Sequence, residues 1–275
     1  MSLPAAPIPQ GAAARLRLAA QACRARWRAP PVAPAPRDEA HRRLDALAIL
    51  LAMGIIIAVA VNLDEWAARA VAGLPAGLRS AFNTITYLGL SGYMFSLAGL
   101  AFLGALMARG RGRGARFDLA CLCLAERAAF IIAVLAVSGL ASQALKHLFG
   151  RARPSLIDLV GPFHFDVLAL KSTYASMPSG HSVSAFAMAV SLGWILPRLR
   201  WPLLILAALV AASRVIISAH YPSDVIAGAA LGVACAIMLR RAFALRRLAF
   251  RWTLDGPRLR GAGKVWPALV KPSGT

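Results

Sequence analysis

Three groups of polar and ionisable residues break an otherwise apolar chain. The first is Lys146 through Arg153-Pro154, the second Pro178-Ser179-Gly180-His181, and the third Ser213-Arg214 followed by His220 and Asp224. An ionisable side chain beside or within a membrane span is costly, so each of these is a functional candidate. Together they suit a phosphate. Lys146, Arg153 and Arg214 would supply fixed cations, the arginines as bidentate forks and the lysine as a point charge. Gly180 would let the backbone approach an anion, and Ser179 offers a hydroxyl. Both precede an apolar run, so they would sit at a helix N-terminus, where free amides and the helix dipole favour negative charge. His220 could attack phosphorus through a neutral ring nitrogen. Asp224 lies one helical turn on if Pro222 opens the helix, and its carboxylate would fix the His220 tautomer and stabilise the imidazolium that develops. His181 would protonate the leaving oxygen and later activate water. The scheme needs His220 neutral and His181 protonated, and Asp224 opposes the effect of the cations on His220. It needs no metal and no cofactor, because lysine and arginine supply the electrostatics. No acidic cluster suits Mg²⁺.

The elements that must position these residues are membrane helices. Of the 275 residues, 59% are apolar and 15% charged, with a mean hydropathy of +0.64. An average soluble domain has about 25% charged residues, so a disordered chain, a secreted disulfide scaffold and an ordinary cytosolic enzyme are excluded. Six stretches are candidate spans: about 46–63, 85–107, 128–145, 182–196, 201–218 and 225–239. Each must be helical, since backbone groups in lipid need partners within the segment. The fourth and sixth are short against the roughly 17–25 residues a crossing needs. Residues 71–81 are too short to cross and are expected along the interface. The expected layout is thus all-α: a six-span domain over 44–240, a disordered basic tail over 1–43 and a basic cytoplasmic tail over 241–275.

Charge fixes the orientation. Alternating the six spans puts 24 of the 31 Lys and Arg on the side of the two tails and seven on the other. The positive-inside rule then places both termini in the cytoplasm. All three polar groups fall on the opposite, outer face. Trp66, Trp194 and Trp201 lie at span ends, where aromatic belts are expected. The net charge of +20 sits between apolar runs, so it reads as topology, with membrane lipids rather than nucleic acid as the partner. The basic loop around Arg109–Arg116 is read the same way.

Other residues have plainer readings. The four cysteines, Cys23, Cys121, Cys123 and Cys235, lack zinc-ligand spacing. His41, His147 and His164 are expected to pack or lie at the interface. Arg151 reads as interfacial snorkelling, with a phosphate contact as the alternative. Glu126 and Arg127 read as a helix-end pair. Lys171, Asp158 and Asp166 belong to loop surface, and Phe163, Phe165 and Tyr174 to interfacial anchoring or a lipid entry.

The motifs K-x6-R-P, P-S-G-H and S-R-x5-H-x3-D, carried by Lys146…Arg153-Pro154, Pro178–His181 and Ser213-Arg214…His220…Asp224, resemble the signature of the type 2 phosphatidic acid phosphatase (PAP2) superfamily. Order, spacing and residue types match throughout, and the resemblance covers about residues 46–239. It implies a six-helix fold and metal-independent hydrolysis of a lipid phosphomonoester or pyrophosphate, through a phosphohistidine on His220. It offers phosphatidic acid, phosphatidylglycerol phosphate, undecaprenyl pyrophosphate and lipid A phosphates as substrates. A prenyl pyrophosphate or glycerolipid phosphate in a bacterial inner membrane is the favoured reading. The rivals are a phosphotransferase with the same motifs, a lipid carrier that has no need of both histidines and the aspartate, and a vanadium-dependent haloperoxidase, which the span-rich chain disfavours.

Overall fold

In the computed structural model, residues 39–110, 114–253 and 256–261 are described, with isolated positions between 14 and 31. The expectations for the N-terminal tail, for Cys23, for the centre of the basic loop and for residues 262–275 lie outside them. Over residues 39–261, eight α-helices are described, in order: α1 (Glu39–Ala72), α2 (Ala76–Thr86), α3 (Ser91–Ala108), α4 (Ala115–Phe149), the single turn α5 (Ile157–Val160), α6 (Gly180–Ile195), α7 (Arg200–Ile216) and α8 (Pro222–Leu245). A two-stranded antiparallel hairpin closes the described chain, β1 (Phe250–Thr253) on β2 (Gly256–Leu259), with Phe250 opposite Leu259.

Local chemistry sets the helix ends that matter. Gly150, at φ +58°, follows α4 and returns its N–H to the Lys146 carbonyl. That left-handed stop suits glycine, and here a side chain would also overlap the Asp166 carbonyl. Ser179 is extended at the N-cap of α6, and Pro222 opens α8 at its first position, where its missing N–H has no intrahelical partner to lose.

Among the described residues, five stretches are long and apolar enough to cross a membrane: Arg43–Ala72, Ala76–Ala108 (α2 and α3 joined by the turn Tyr87–Gly89), Arg116–Phe149, Pro197–Ile216 and Pro222–Leu245. The fourth expected span is α6, whose 16 residues fall short of that length. None of the most apolar window of α1 is buried against the protein, and Leu47, Leu50, Ile57 and Val61 all point outward. Such an exposed apolar face suits lipid. The segment expected along the interface is the end of α1, a break at Gly73–Pro75 and the start of α2.

The described chain forms two compact units. One, residues 36–94 and 133–239, contains every candidate site residue. Its core pairs α6 with α7 through Ala185, Ala189, Ala207 and Val210, with Ile85, Phe186, Leu203 and Leu204 around them. Small glycines let α8 meet α6 closely: a Cβ on Gly228 would lie 2.6 Å from the Ser179 carbonyl oxygen, and one on Gly232 would overlap that of Val183. Close backbone approach of this kind is how membrane helices gain packing energy.

The other unit, which includes residues 95–132 and the chain from Arg240, holds the hairpin. Phe130 meets Phe243 and Phe250 edge-on, at centroid distances of 5.4 and 4.8 Å. Glu126 accepts from the Ala249 amide and from Arg260, and Arg127 donates to the Arg260 and Gly261 carbonyls. Instead of serving only as a helix-end pair, these two residues anchor the hairpin. The segment expected as a tail from 241 therefore begins with the last turn of α8 and this hairpin.

Candidate active site

The site is built where α4 and α7 end and α6 and α8 begin. Lys146 lies in the last turn of α4, Arg214 in the last turn of α7, and Asp224 in the first turn of α8. Gly180 and His181 open α6. The loop from Gly150 to Ser179 is pinned to its own backbone. Ala152 donates to the His164 carbonyl, Arg153 to that of Thr173, and Ser176 to that of Arg151. The Ser179 amide donates to the Asp224 carbonyl at 3.0 Å, which joins the starts of α6 and α8.

A basic, hydroxyl-lined floor results. Lys146 Nζ and Ser142 Oγ lie 3.8 and 3.9 Å from where a Gly180 Cβ would be, so glycine leaves that space open. Ser142, Ser179 and Ser182 are buried, and their hydroxyls have no hydrogen-bond partner among the described residues. The Nε atoms of Arg153 and Arg214 are likewise buried and unpartnered. Buried polar atoms are normally satisfied. Donors left open beside the first-turn amides of a helix fit an anion such as phosphate. Arg214 is held by Thr86, whose hydroxyl accepts from its Nη1 at 2.8 Å. Burial draws the Arg153 guanidinium below its ordinary value, against the opposing charge of Asp224.

His220 is buried, and its Nδ1 lies 2.8 Å from the Ser176 carbonyl oxygen. A carbonyl only accepts, so Nδ1 carries the proton and Nε2 is left with its lone pair. Here the geometry corrects the sequence expectation. Asp224 Oδ2 is 3.7 Å from Nδ1, and it accepts from Ser176 Oγ at 2.6 Å and from the Tyr221 amide at 2.9 Å. The hydrogen bond that sets the tautomer is to a backbone carbonyl, while Asp224 acts on the ring through its charge. Burial pushes His220 down to about 4; Asp224 opposes this, and Lys146 and Arg214 add to it. His220 is therefore neutral at ordinary pH, as nucleophilic attack requires. His181 is half-buried and lies within electrostatic reach of His220, Arg214, Lys146 and Arg153. Its ring packs on Gly89, where a Cβ would come within 3.0 Å of Cδ2.

Arg151 departs furthest from its reading. It neither snorkels nor has a donor left for phosphate. Its side chain is 1% exposed, and all five N–H groups are engaged. Nε and Nη2 donate to the Pro162 carbonyl, Nη1 to Ser223 Oγ and Asp224 Oδ1, and Nη2 also to Asp64 Oδ2. Its guanidinium carbon is 4.4 Å from the centre of the Tyr221 ring. Burial pulls Arg151 down, but the charges and hydrogen bonds of Asp224 and Asp64 outweigh it and raise its pKa. Burial raises the Tyr221 hydroxyl to about 12, so it stays protonated.

Asp64, Ser176, Ser223 and Thr86 were not singled out in the sequence. Asp64 carried a readable signal, a carboxylate in a long apolar stretch. Serines and threonines in a polar loop carried none. Of the remaining loop residues, Asp158 is exposed and pairs with Arg69 at 3.3 Å, Lys171 is exposed, and His147 Nδ1 meets the Ala169 carbonyl. Among the described residues, no three His, Cys, Asp or Glu side chains cluster so that they could hold a metal ion.

Known proteins resemble this chain over much of its length. Residues 127–248 match the model of the PAP2 superfamily. Lipid A 1-phosphatase of Rhizobium etli is 30% identical over 72% of this chain and 84% of its own length. That of Rhizobium johnstonii is 31% identical over 66% and 75%. Undecaprenyl-diphosphatase of Sulfolobus acidocaldarius is 36% identical over 38% of this chain and 46% of its own. Among solved structures, a transmembrane PAP2-type phosphatidylglycerolphosphate phosphatase from Bacillus subtilis is 24% identical over 70% of this chain and 92% of that one, with a TM-score of 0.49. Aquifex aeolicus LpxE is 23% identical over 64% and 94%, with a TM-score of 0.47. With two relatives at or above 30% identity matched over most of their length, the chain belongs to the PAP2 superfamily, as a multi-pass membrane lipid phosphatase of that type.

Proposed function

We propose that this phosphatase removes the 1-phosphate of lipid A, or a closely similar lipid phosphomonoester, at the outer face of a bacterial inner membrane with both termini in the cytoplasm. The extent of the matches supports the substrate: lipid A 1-phosphatases align over 72% and 66% of the chain, the undecaprenyl-diphosphatase over 38%. This moves lipid A ahead of the prenyl and glycerolipid phosphates that the motifs alone favoured. The observation that carries the reaction is the His220 Nδ1 hydrogen bond to the Ser176 carbonyl, beneath buried donors with no partner.

In this reading Lys146, Arg153, Arg214, Ser179 Oγ and the first amides of α6, at Gly180, hold the phosphoryl oxygens. His220 Nε2 attacks phosphorus, forming the N–P bond as the bond to the lipid oxygen breaks. His181, which burial and then the charges of Arg214, His220, Lys146 and Arg153 push down to about 4 in the free site, is raised by the negative charge of the bound phosphate and gives that oxygen its proton. The imidazolium character on His220 is met by Asp224. His181, now neutral, takes a proton from water, whose oxygen attacks phosphorus and frees His220 with release of inorganic phosphate.

The test is phosphate release by detergent-solubilised protein, with EDTA present, on lipid A, undecaprenyl diphosphate, phosphatidic acid and phosphatidylglycerol phosphate. Lipid A is expected to give the highest kcat/KM, and His220→Ala to abolish turnover while lipid binding persists. A preference for undecaprenyl diphosphate would overturn the substrate. Loss of the lipid phosphate only when an acceptor alcohol is added, with the phosphoryl group recovered as an ester of that alcohol and no free phosphate, would make the enzyme a transferase.

A further inference from the structure

We infer that Asp64 and Arg151 are positioning residues of this reaction, fixing the His220 tautomer through Asp224 and Ser176; the inference rests on His220 being the nucleophile. Neither residue faces the open donors of the phosphate floor. Asp64 is 0% exposed near the outer end of α1. Its Oδ1 accepts from the Ser223 amide at 2.9 Å, and its Oδ2 from Arg151 at 2.8 Å and from the Ser223 hydroxyl. Arg151 passes the restraint to Asp224 Oδ1 at 2.7 Å. Asp224 Oδ2 holds Ser176 Oγ at 2.6 Å, and the Ser176 carbonyl receives the His220 Nδ1 proton at 2.8 Å. An unbroken series of short contacts thus runs from the first helix to the imidazole, and every member is buried.

The charges give Asp64 a second purpose. One buried guanidinium faces two buried carboxylates. With Asp224 alone, Arg151 would cancel the charge that the developing imidazolium needs. With Asp64 also present the group keeps one net negative charge, and Asp224 is the member nearest His220, at 3.7 Å. A buried ion group adds little net stability compared with apolar packing. Its presence here is accounted for by what it orients.

The experiment compares wild type, Asp64→Asn, Asp64→Glu and Ser176→Ala in detergent micelles by ¹⁵N-histidine NMR, inorganic phosphate affinity and single-turnover phosphoenzyme formation. Wild type is expected to hold His220 with the proton on Nδ1. In Asp64→Asn the other tautomer should appear, and phosphoenzyme formation should slow by about 100-fold, since a wrongly protonated histidine is a poor nucleophile. Inorganic phosphate affinity should stay within about threefold of wild type, and Asp64→Glu should recover part of the rate, as charge-keeping variants of a positioning residue do. Ser176→Ala removes only the hydroxyl link to Asp224 and should reproduce the mixed tautomer, so the test stands even where Asp64→Asn fails to fold. A pure Nδ1–H signal in both Asp64→Asn and Ser176→Ala would overturn the inference, as would parallel loss of rate and inorganic phosphate affinity in the folded variants. The tautomer is read without turnover. A wild type with the expected tautomer but no phosphate release would therefore overturn the proposed function and leave the positioning role supported.

Discussion

Two arginines two residues apart have opposite duties, and this is the sharpest lesson at the scale of single residues. Arg153 leaves its Nε open toward the floor, whereas Arg151 spends every donor on the protein. Arg153→Ala should therefore lower kcat/KM by about 10²–10³-fold, the usual loss of a transition-state charge contact, with little change in melting temperature. Arg151→Ala leaves Asp64 and Asp224 buried without their cation and should cost about 3–5 kcal/mol of stability. Thermal unfolding beside steady-state kinetics separates the two. His220 makes a second prediction. Because burial holds it at about 4, the nucleophile stays neutral through the ordinary range, and the acid limb of kcat/KM that belongs to it should fall near pH 4 rather than near 6.5. The sign for stability follows. Unfolded histidine, with a pKa of about 6.5, takes up a proton that the native ring refuses. Stability contributed by this site is complete above about pH 6.5 and declines as pH falls towards 4. The melting temperature of His220→Gln should drop less between pH 7 and 5 than that of wild type.

Helices convert these side chains into a site by the way their ends are brought together, and α6 against α8 is the critical pair. Gly228 leaves just enough room for the Ser179 carbonyl, whose residue caps α6 and whose amide is held by Asp224. Gly228→Ala should push the start of α6 away from that of α8, costing about 1–3 kcal/mol as overpacking does and lowering kcat with it. Gly139→Ala, with nothing within 4 Å of its Cβ, should leave both unchanged in the same assays. Apolar run length and charge reveal where such helices run, so the all-helical membrane layout was legible before any coordinates, with five stretches of crossing length among the described residues where six were expected. What escaped was what short-range sequence does not encode. The carbonyl of Ser176 has no side-chain signature, yet it is the acceptor nearest His220 Nδ1. Asp64 partners residues 87 and 159 positions away. The hairpin after Leu248 is too short and too arginine-rich to announce itself as strand. Arg151 was misread because an arginine at a helix end usually snorkels, and only the fold reveals two carboxylates waiting for it.

At the scale of the whole molecule, one helix ties chemistry to orientation. The 24 residues of α8 begin beside His220 and end at Leu245. At about 1.5 Å per residue that length exceeds a hydrocarbon core of about 30 Å, so α8 is long enough to cross it alone. In the proposed orientation the site cluster and the exposed loop residue Leu170, 83% accessible, meet the outer face. The excess of Lys and Arg around the tails supports the proposed orientation, with the C-terminal end of the chain in the cytoplasm. A single cysteine placed by Leu170→Cys should react with a membrane-impermeant maleimide in intact spheroplasts. One placed by Arg258→Cys should react only after permeabilisation, both in a background where Cys23 is alanine. The reverse pattern would put the phosphatase site in the cytoplasm and its substrate in the inner leaflet, where a different pool of lipid phosphates would meet the same histidine.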